Sequence, residues 1–250
     1  MRYFIEFSYN GSAYHGWQNQ PNATTVQSVL EKGLSLLLRE EINVVGAGRT
    51  DTGVHALQMF AHFDTDIAIN LEELIFKLNS FLPKDIAILN LFRVKDDAHA
   101  RFDAISRTYI YRISTEKDPF NIESAFYYKN ELDVDKMNAA AKILLDYQNF
   151  KCFSRSNTDV KTYNCKIIKA EWKVENSELQ FVIMADRFLR NMVRAIVGTL
   201  LDIGVGKMTV EQMHAIIKSQ DRSNAGASVP AHGLYLMRIE YPKRIRYNNE

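Results

Sequence analysis

The sequence predicts a mixed α/β (α+β) protein made of two ferredoxin-like halves, each with an antiparallel-rich sheet. Apolar residues at strand spacing and at helix spacing follow each other in the order β-α-β-β-α-β up to residue 94. A polar connection at 96–106 comes next, and then the pattern begins again. Two such sheets set edge to edge would leave a cleft between the halves, which is a common place for a site.

The N-terminal half contains four predicted strands and two predicted helices. Alternating or continuous apolar residues place the strands at 2–9, 43–46, 57–63 and 86–94. Both helices begin with a capping box, in which a polar N-cap residue precedes Gln or Glu by three positions. These boxes are Thr24 with Gln27 and Asn70 with Glu73, and Pro83 ends the second helix.

The C-terminal half repeats the alternation of strands and helices. Predicted strands lie at 108–114, 166–174, 179–185 and 234–241, and the middle two form a hairpin across Asn176 and Ser177. Asp133 is the predicted N-cap of one helix. A second helix is predicted at about 189–203, with Gly204 as its C-cap. A short third helix starts from Thr209. No linker rich in Pro, Gly or Ser separates the halves, so we place them at 1–104 and 105–250.

Composition limits the classes of function. The formal net charge is only +1, so binding of a polyanion must depend on where the cations lie. Two cysteines are too few for a disulfide framework, and the six histidines lack metal-ligand spacing, so no metal site is predicted and packing or surface roles are expected. The chain starts with a strand and has no apolar run of about 20 residues. These features predict a cytoplasmic protein without membrane contact.

One carboxylate stands in a glycine-rich segment directly after a strand. Asp51 lies between Gly48 and Gly53, and glycines let the backbone adopt unusual conformations and let a substrate approach closely. Arg49 could hold a phosphate or steady the carboxylate. The alternative interpretation is a turn aspartate that bonds its own backbone, and the local pattern by itself favours this alternative.

Two further segments combine aromatic residues and arginines. On a strand, Tyr109 would share a face with Tyr111, and with Arg107 nearby it could stack an unpaired base; the alternative is a sheet core with bonded hydroxyls. At helical spacing, Arg190 and Arg194 would lie on one face near a helix N-terminus, where cations oppose the helix dipole. A carboxylate or a phosphate opposite the two arginines would offset that cost. The alternative is that both arginines lie on a solvated helix face.

Taken together, these segments resemble the tRNA pseudouridine synthase A family nearly from end to end. The similarity rests on a set of motifs that occur in the family's order. They are Tyr9–Pro21 (YNGSAYHGWQNQP), Gly48–Ala56 (GRTDTGVHA), Ala100–Ala104 (ARFDA) with Arg107–Tyr111 (RTYIY), Phe188–Arg194 (FLRNMVR) and Pro230–Leu234 (PAHGL). One departure is Gln148-Asn149, where bacterial members usually have His-Asp.

The resemblance implies a cofactor-free isomerase that detaches uracil from its ribose, rotates it and rejoins it through carbon. It implies that Asp51 is the essential carboxylate, that Arg194 pairs with it, and that Tyr109 stacks on the target uracil. Arg49 would help to hold the flipped nucleotide, and we assign Arg107 and Arg190 to substrate binding as well. The resemblance further implies that the protein is a homodimer and that it binds tRNA. It would act on uridines at positions 38, 39 and 40 of the anticodon stem-loop.

Two other functions remain open from the residues alone. A non-catalytic RNA-binding protein with a ferredoxin-like platform would use Tyr109 and the arginines and would not need Asp51. A hydrolase with an aspartate nucleophile would need a second carboxylate or a metal near Asp51, and the neighbouring sequence offers neither.

Overall fold

The computed structural model describes residues 1–155, 160–175 and 178–246 of the chain. These residues contain five α-helices and nine β-strands, and the strand pairs with a defined register are antiparallel with one exception. The predicted mixed α/β class is therefore confirmed. The chain divides into two compact units, Met1–Ile105 with Leu236–Glu250 (unit 1) and Ser106–Tyr235 (unit 2). In the described part of the chain, no helix is long and apolar enough to cross a bilayer.

The sheet of unit 1 is built around its first strand. β1 (Arg2–Tyr9) pairs antiparallel with β3 (His55–Asp64) on one side and with β4 (Ile86–Val94) on the other. The two-residue β2 (Val45–Gly46) pairs with β3, and β9 (Leu234–Glu240) lies next to β3. The order of strands and helices up to residue 94 is the predicted one, with α1 (Val26–Leu38) and α2 (Leu71–Phe81) between strands.

The starts of these two helices test the capping predictions. Asn70 is the N-cap of α2, and its side chain accepts a hydrogen bond from the Glu73 N–H, as predicted. The prediction for α1 was wrong by one residue, because Thr25 is the N-cap and Ser28 completes the capping box. Gln27 is thereby free of a capping role, and its amide donates to the Val44 carbonyl at 3.1 Å.

Unit 2 carries the second set of strands. β8 (Glu178–Ala185) lies between β5 (Ser106–Ser114) and β7 (Ile167–Glu175) and is antiparallel to both, while β6 (Phe126–Tyr127) pairs parallel with β5. The strands of the predicted hairpin are confirmed; its turn, Asn176-Ser177, lies outside the described residues. The helices are α3 (Val134–Ile143), α4 (Met192–Gly204) and α5 (Gln212–Ser219).

Helix α4 forms the centre of unit 2, since nearly all of its side chains are buried. The predicted C-cap role of Gly204 was wrong: Gly204 is the last residue of the helix, and Val205 follows as the C-cap. A Cβ on Gly204 would meet the Met137 sulfur at 2.5 Å, so close packing against α3 accounts for this glycine. The left-handed position belongs to Gly206, which has a φ of +77°.

Candidate active-site elements in each unit

Asp51 lies in the loop that joins β2 to β3 in unit 1. The loop is turned by its backbone, because the Val54 N–H donates to the Asp51 carbonyl at 3.1 Å and Gly53 adopts a φ of +77°. The Asp51 side chain is half-buried, whereas Arg49 in the same loop is exposed. The sequence motif therefore does form a turn, and this turn holds the carboxylate at a defined place at the start of a strand.

The chain between β1 and α1 lies directly against the Asp51 loop. A Cβ on Gly16 would lie 2.4 Å from the Thr50 carbonyl oxygen, and one on Gly11 would lie 2.0 Å from the Val54 oxygen. Gly16 also has a φ of +85°, which other residues rarely adopt. Glycine is required at both positions because the two backbones touch on either side of Asp51.

Side-chain hydrogen bonds join the same two segments. Thr50, the residue before Asp51, shares a hydrogen bond with Tyr9: their hydroxyl oxygens are 2.9 Å apart. After Asp51, the buried His55 accepts a hydrogen bond on Nδ1 from the Gly11 N–H at 3.1 Å. Sequence reasoning assigned no role in the site to Tyr9 or His55. The signal that could have found His55 is a histidine that opens a buried strand directly after the Asp-Thr-Gly turn.

Strand β5 of unit 2 carries the candidate stacking residue. Tyr109 is half-buried, and its ring meets the Phe188 ring at 5.1 Å and 87°, an edge-to-face contact. Tyr111 is fully buried, and its hydroxyl donates to the Pro230 carbonyl at 2.8 Å, so the sheet-core interpretation holds for Tyr111. Burial raises the pKa of the Tyr111 hydroxyl. Of this pair, Tyr109 is the one that is not fully buried.

Arg107 is the second residue of the same strand and has a structural partner. Its Nη1 donates to the Asp186 carbonyl at 2.7 Å, directly after the end of β8. The guanidinium therefore lies over the end of the hairpin, close to the chain that leads to α4. Substrate binding by Arg107 stays a prediction.

The two arginines before and within α4 differ in their settings. The helix begins at Met192, after the N-cap Asn191 with a φ of 66°, so Arg190 lies in the preceding turn and the predicted shared helical face was wrong. Arg194 lies in the first turn, where a cation costs a few tenths of a kcal/mol. Its Nε donates to the Val229 carbonyl at 2.7 Å, and the Val229 N–H donates back to the Arg194 carbonyl at 3.2 Å.

Comparison with known proteins identifies the family. A family model described as tRNA pseudouridine synthase matches residues 6–103 and 140–242. The tRNA pseudouridine synthase A of Parabacteroides distasonis is 51% identical over 247 residues, which cover 98% of this chain and 97% of the relative. That of Bacillus subtilis is 40% identical over 245 residues, which cover 96% of this chain and 99% of the relative. The chain belongs to the tRNA pseudouridine synthase family. As a member of this family it is an isomerase that makes pseudouridine in tRNA.

The family model matches some of the candidate residues and leaves others outside its matched ranges. The residues matched by the family model include Asp51 and Arg49 in unit 1 and Arg190 and Arg194 in unit 2. Strand β5, which carries Tyr109 and Arg107, lies between the two matched ranges. The role of each residue stays a prediction.

Other polar residues have structural explanations. His62 is buried and accepts a hydrogen bond from the Ala100 N–H at 3.1 Å, and burial lowers its pKa to about 4, so it is a packing histidine. Cys152 and Cys165 are buried thiols whose pKa burial raises to about 12. Among the described residues, no group of three or more His, Cys, Asp or Glu side chains could hold a metal ion.

The departure from the family pattern at Gln148-Asn149 also has a local account. The Asn149 side chain accepts a hydrogen bond from the Lys151 N–H at 3.1 Å, and the Gln148 carbonyl accepts one from Cys165. The following Phe150 and Phe153 are fully buried. The segment thus packs into unit 2 with asparagine as the turn residue, and no catalytic role is assigned to it.

Proposed function

We propose that this enzyme converts uridines at positions 38, 39 and 40 of the tRNA anticodon stem-loop, with Asp51 as its catalytic carboxylate. One observation carries the assignment to Asp51: in a synthase-family chain, its loop is held on both sides by close backbone contact with the segment around Gly11 and Gly16. A group that reacts must be held in place before the substrate arrives, and two such contacts provide this preorganisation. The names of the similar proteins support the substrate class.

The chemistry requires a charged carboxylate in a pocket poor in water. The N-glycosidic bond must break while the uracil stays bound, and Asp51 acts on the sugar or the base as nucleophile or removes a ribose proton. We assign Arg194 as the charge partner that keeps Asp51 ionised, because a nearby cation favours the charged form of a carboxyl group. The reaction as proposed needs no cofactor.

The target uridine has to leave its stack to reach Asp51, at a cost of a few kcal/mol. We assign Tyr109 as the aromatic surface that stacks on the flipped base and offsets part of that cost. Two observations support this role: Tyr109 is only half-buried, and its ring is in edge-to-face contact with the Phe188 ring. Arg49, Arg107 and Arg190 are assigned to the phosphates around the target nucleotide, because backbone contacts position an RNA without reading its sequence.

We further propose that the protein acts in the cytoplasm as a homodimer. With a formal net charge of only +1, the chain has no general attraction for a polyanion, so tRNA has to be held by local groups of arginines. A dimer would present two such groups to one or more tRNA molecules and extend the binding surface.

The decisive experiment measures tritium release from tRNA that contains 5-tritiated uridine. We expect release by the wild-type protein and none above background by Asp51→Asn, which keeps the size of the side chain and removes its charge. Asp66→Asn, at a fully exposed carboxylate of unit 1, is the control and should release tritium at the wild-type rate. Unchanged release by Asp51→Asn would remove Asp51 from the chemistry.

The same assay tests the alternative of a non-catalytic RNA-binding protein. That alternative predicts that the wild-type protein binds tRNA and releases no tritium, and that Asp51 can be replaced without consequence. Mapping of pseudouridine in the product tRNA then tests the position: conversion outside 38, 39 and 40 would overturn the proposed substrate site while leaving the synthase activity.

A further inference from the structure

A short segment of unit 2 lies flat on helix α4. Residues Ala225–Pro230, here called the strap, approach the helix so closely that a Cβ on Gly198 would lie 1.7 Å from the Ala227 carbonyl oxygen. On the strap side, a Cβ on Gly226 would lie 2.7 Å from the Thr199 nitrogen. The Gly226 N–H also donates to the Thr199 hydroxyl at 2.8 Å in a buried position. Because these contacts hold the strap backbone against α4, they also determine where the other carbonyl and N–H groups of the strap lie along the helix.

Arg194 depends on the strap for its orientation. Its Nε–H donates to the Val229 carbonyl at 2.7 Å, so one edge of the guanidinium is bound to the strap backbone. The planar guanidinium has its donors in a rigid arrangement, and fixing Nε limits the directions in which the two terminal nitrogens can point. A shift of the strap would move these nitrogens together with Val229.

A second arginine holds the strap from its other end. Arg222 opens the short 3-10 turn Arg222–Asn224, and its Nη1 donates to the carbonyls of Ala225 at 3.3 Å and Gly226 at 3.0 Å. Its Nη2 donates to the Ser228 hydroxyl at 2.9 Å. The side chain of Asn191, the N-cap of α4, donates to the same hydroxyl at 2.6 Å. One half-buried guanidinium thus ties three strap residues together and, through Ser228, ties them to the start of the helix.

We infer that Arg222 is a positioning residue for the reaction: it sets the course of the strap and thereby aims the Arg194 guanidinium. This inference rests on the proposed role of Arg194 as the partner of Asp51. Arginine suits the task because its fork serves several acceptors at fixed angles, whereas a lysine at the same place offers one mobile ammonium group. Arg222 itself bonds only groups of its own unit in these contacts, so its effect on the reaction passes through Arg194.

The experiment compares Arg222→Lys and Arg222→Ala with the wild type in tritium release at saturating and limiting tRNA. We expect kcat to fall about ten- to a hundredfold, the size that small displacements of catalytic groups produce, with KM for tRNA nearly unchanged. Guanidinium ion added at millimolar concentration should restore part of kcat to Arg222→Ala, and methylammonium should not. Lys207→Gln, which removes an exposed cation at the other end of α4, is the matched control and should keep the wild-type kcat.

A purely structural role for Arg222 would give a different pattern. Arg222→Lys would then lose activity only in proportion to unfolded protein, as followed by thermal unfolding, or KM would rise with kcat unchanged; either result overturns the inference. The variant of Arg194 alone and its combination with Arg222→Ala show whether the role of Arg222 or the proposed role of Arg194 is wrong. If Arg194→Gln, which removes the charge, converts tRNA at the wild-type rate, the role of Arg194 is wrong and both proposals about it fall. If Arg194→Gln is slow and adding Arg222→Ala slows it further by the full factor of the single variant, only the role of Arg222 falls.

Discussion

At the scale of single residues, the two tyrosines of β5 show how neighbours in sequence acquire different tasks. Tyr111 is fully buried, and its hydroxyl donates a hydrogen bond to the Pro230 carbonyl. Tyr109 is only half-buried, and its ring is in edge-to-face contact with the ring of Phe188. An aromatic ring that is held in one orientation loses little conformational entropy when a base stacks on it. The alternation of a strand by itself treats the two residues alike.

The proposed stacking by Tyr109 is tested by two substitutions at that position. Tyr109→Leu should lower kcat/KM by the loss of base stacking, which is worth about 1–3 kcal/mol. Tyr109→Phe keeps the aromatic face and should bind tRNA as the wild type does. Both are measured by tritium release over a range of tRNA concentrations. Equal kcat/KM values for Tyr109→Leu and the wild type would rule out stacking.

At the scale of elements, the Asp51 loop is held by backbone contact as well as by side chains. The segment between β1 and α1 meets it at Gly11 and Gly16, and the Tyr9–Thr50 and Gly11–His55 hydrogen bonds flank Asp51. Segments far apart in sequence thereby form one rigid support. The contact explains why glycines lie in both segments, which sequence reasoning noted only for the loop itself.

Two glycine substitutions near Asp51 test this support. Gly16→Ala should lower the free energy of unfolding by about 1–3 kcal/mol, because its φ of +85° is unfavourable for alanine and its Cβ would meet Thr50. Tritium release should fall in the folded protein, since the Asp51 loop is displaced. Gly48→Ala is the matched control: no atom lies within 4 Å of its Cβ, so stability should change by less than about 0.5 kcal/mol. Urea unfolding measures both, and equal stabilities would contradict the support role.

At the scale of the whole molecule, charge is balanced while the proposed substrate is a polyanion. The chain has 31 Lys and Arg residues against 30 Asp and Glu residues. Several surface cations are paired with a neighbouring carboxylate, as Lys77 is with Glu73 on α2. Affinity for tRNA should therefore come from a few arginines and still depend on salt, because each phosphate contact releases counterions.

The salt dependence of tRNA binding tests this distribution. Arg190→Gln should reduce the slope of log affinity against log salt concentration by about 1, as expected for the loss of one phosphate contact. Lys77→Gln should leave the slope unchanged, because this lysine is already paired with Glu73. Filter binding at several salt concentrations measures both. A slope that both variants reduce equally would mean that RNA binding follows overall charge.

The sequence by itself determined the mixed α/β class, the order of the helices and longer strands and their approximate bounds, because local spacing of apolar residues and capping residues such as Asn70 act within a few positions. It gave no sign of the two-residue β6. It also identified the family, since the motifs around Asp51 and Arg194 are contiguous. It misjudged Thr24, Gly204 and the helical placement of Arg190, where the exact start or end of a helix depends on packing. Only the tertiary structure brought Gly11 and Gly16 against the Asp51 loop and laid the strap on α4. These contacts join residues distant in the chain, and their backbone distances follow from how the elements pack.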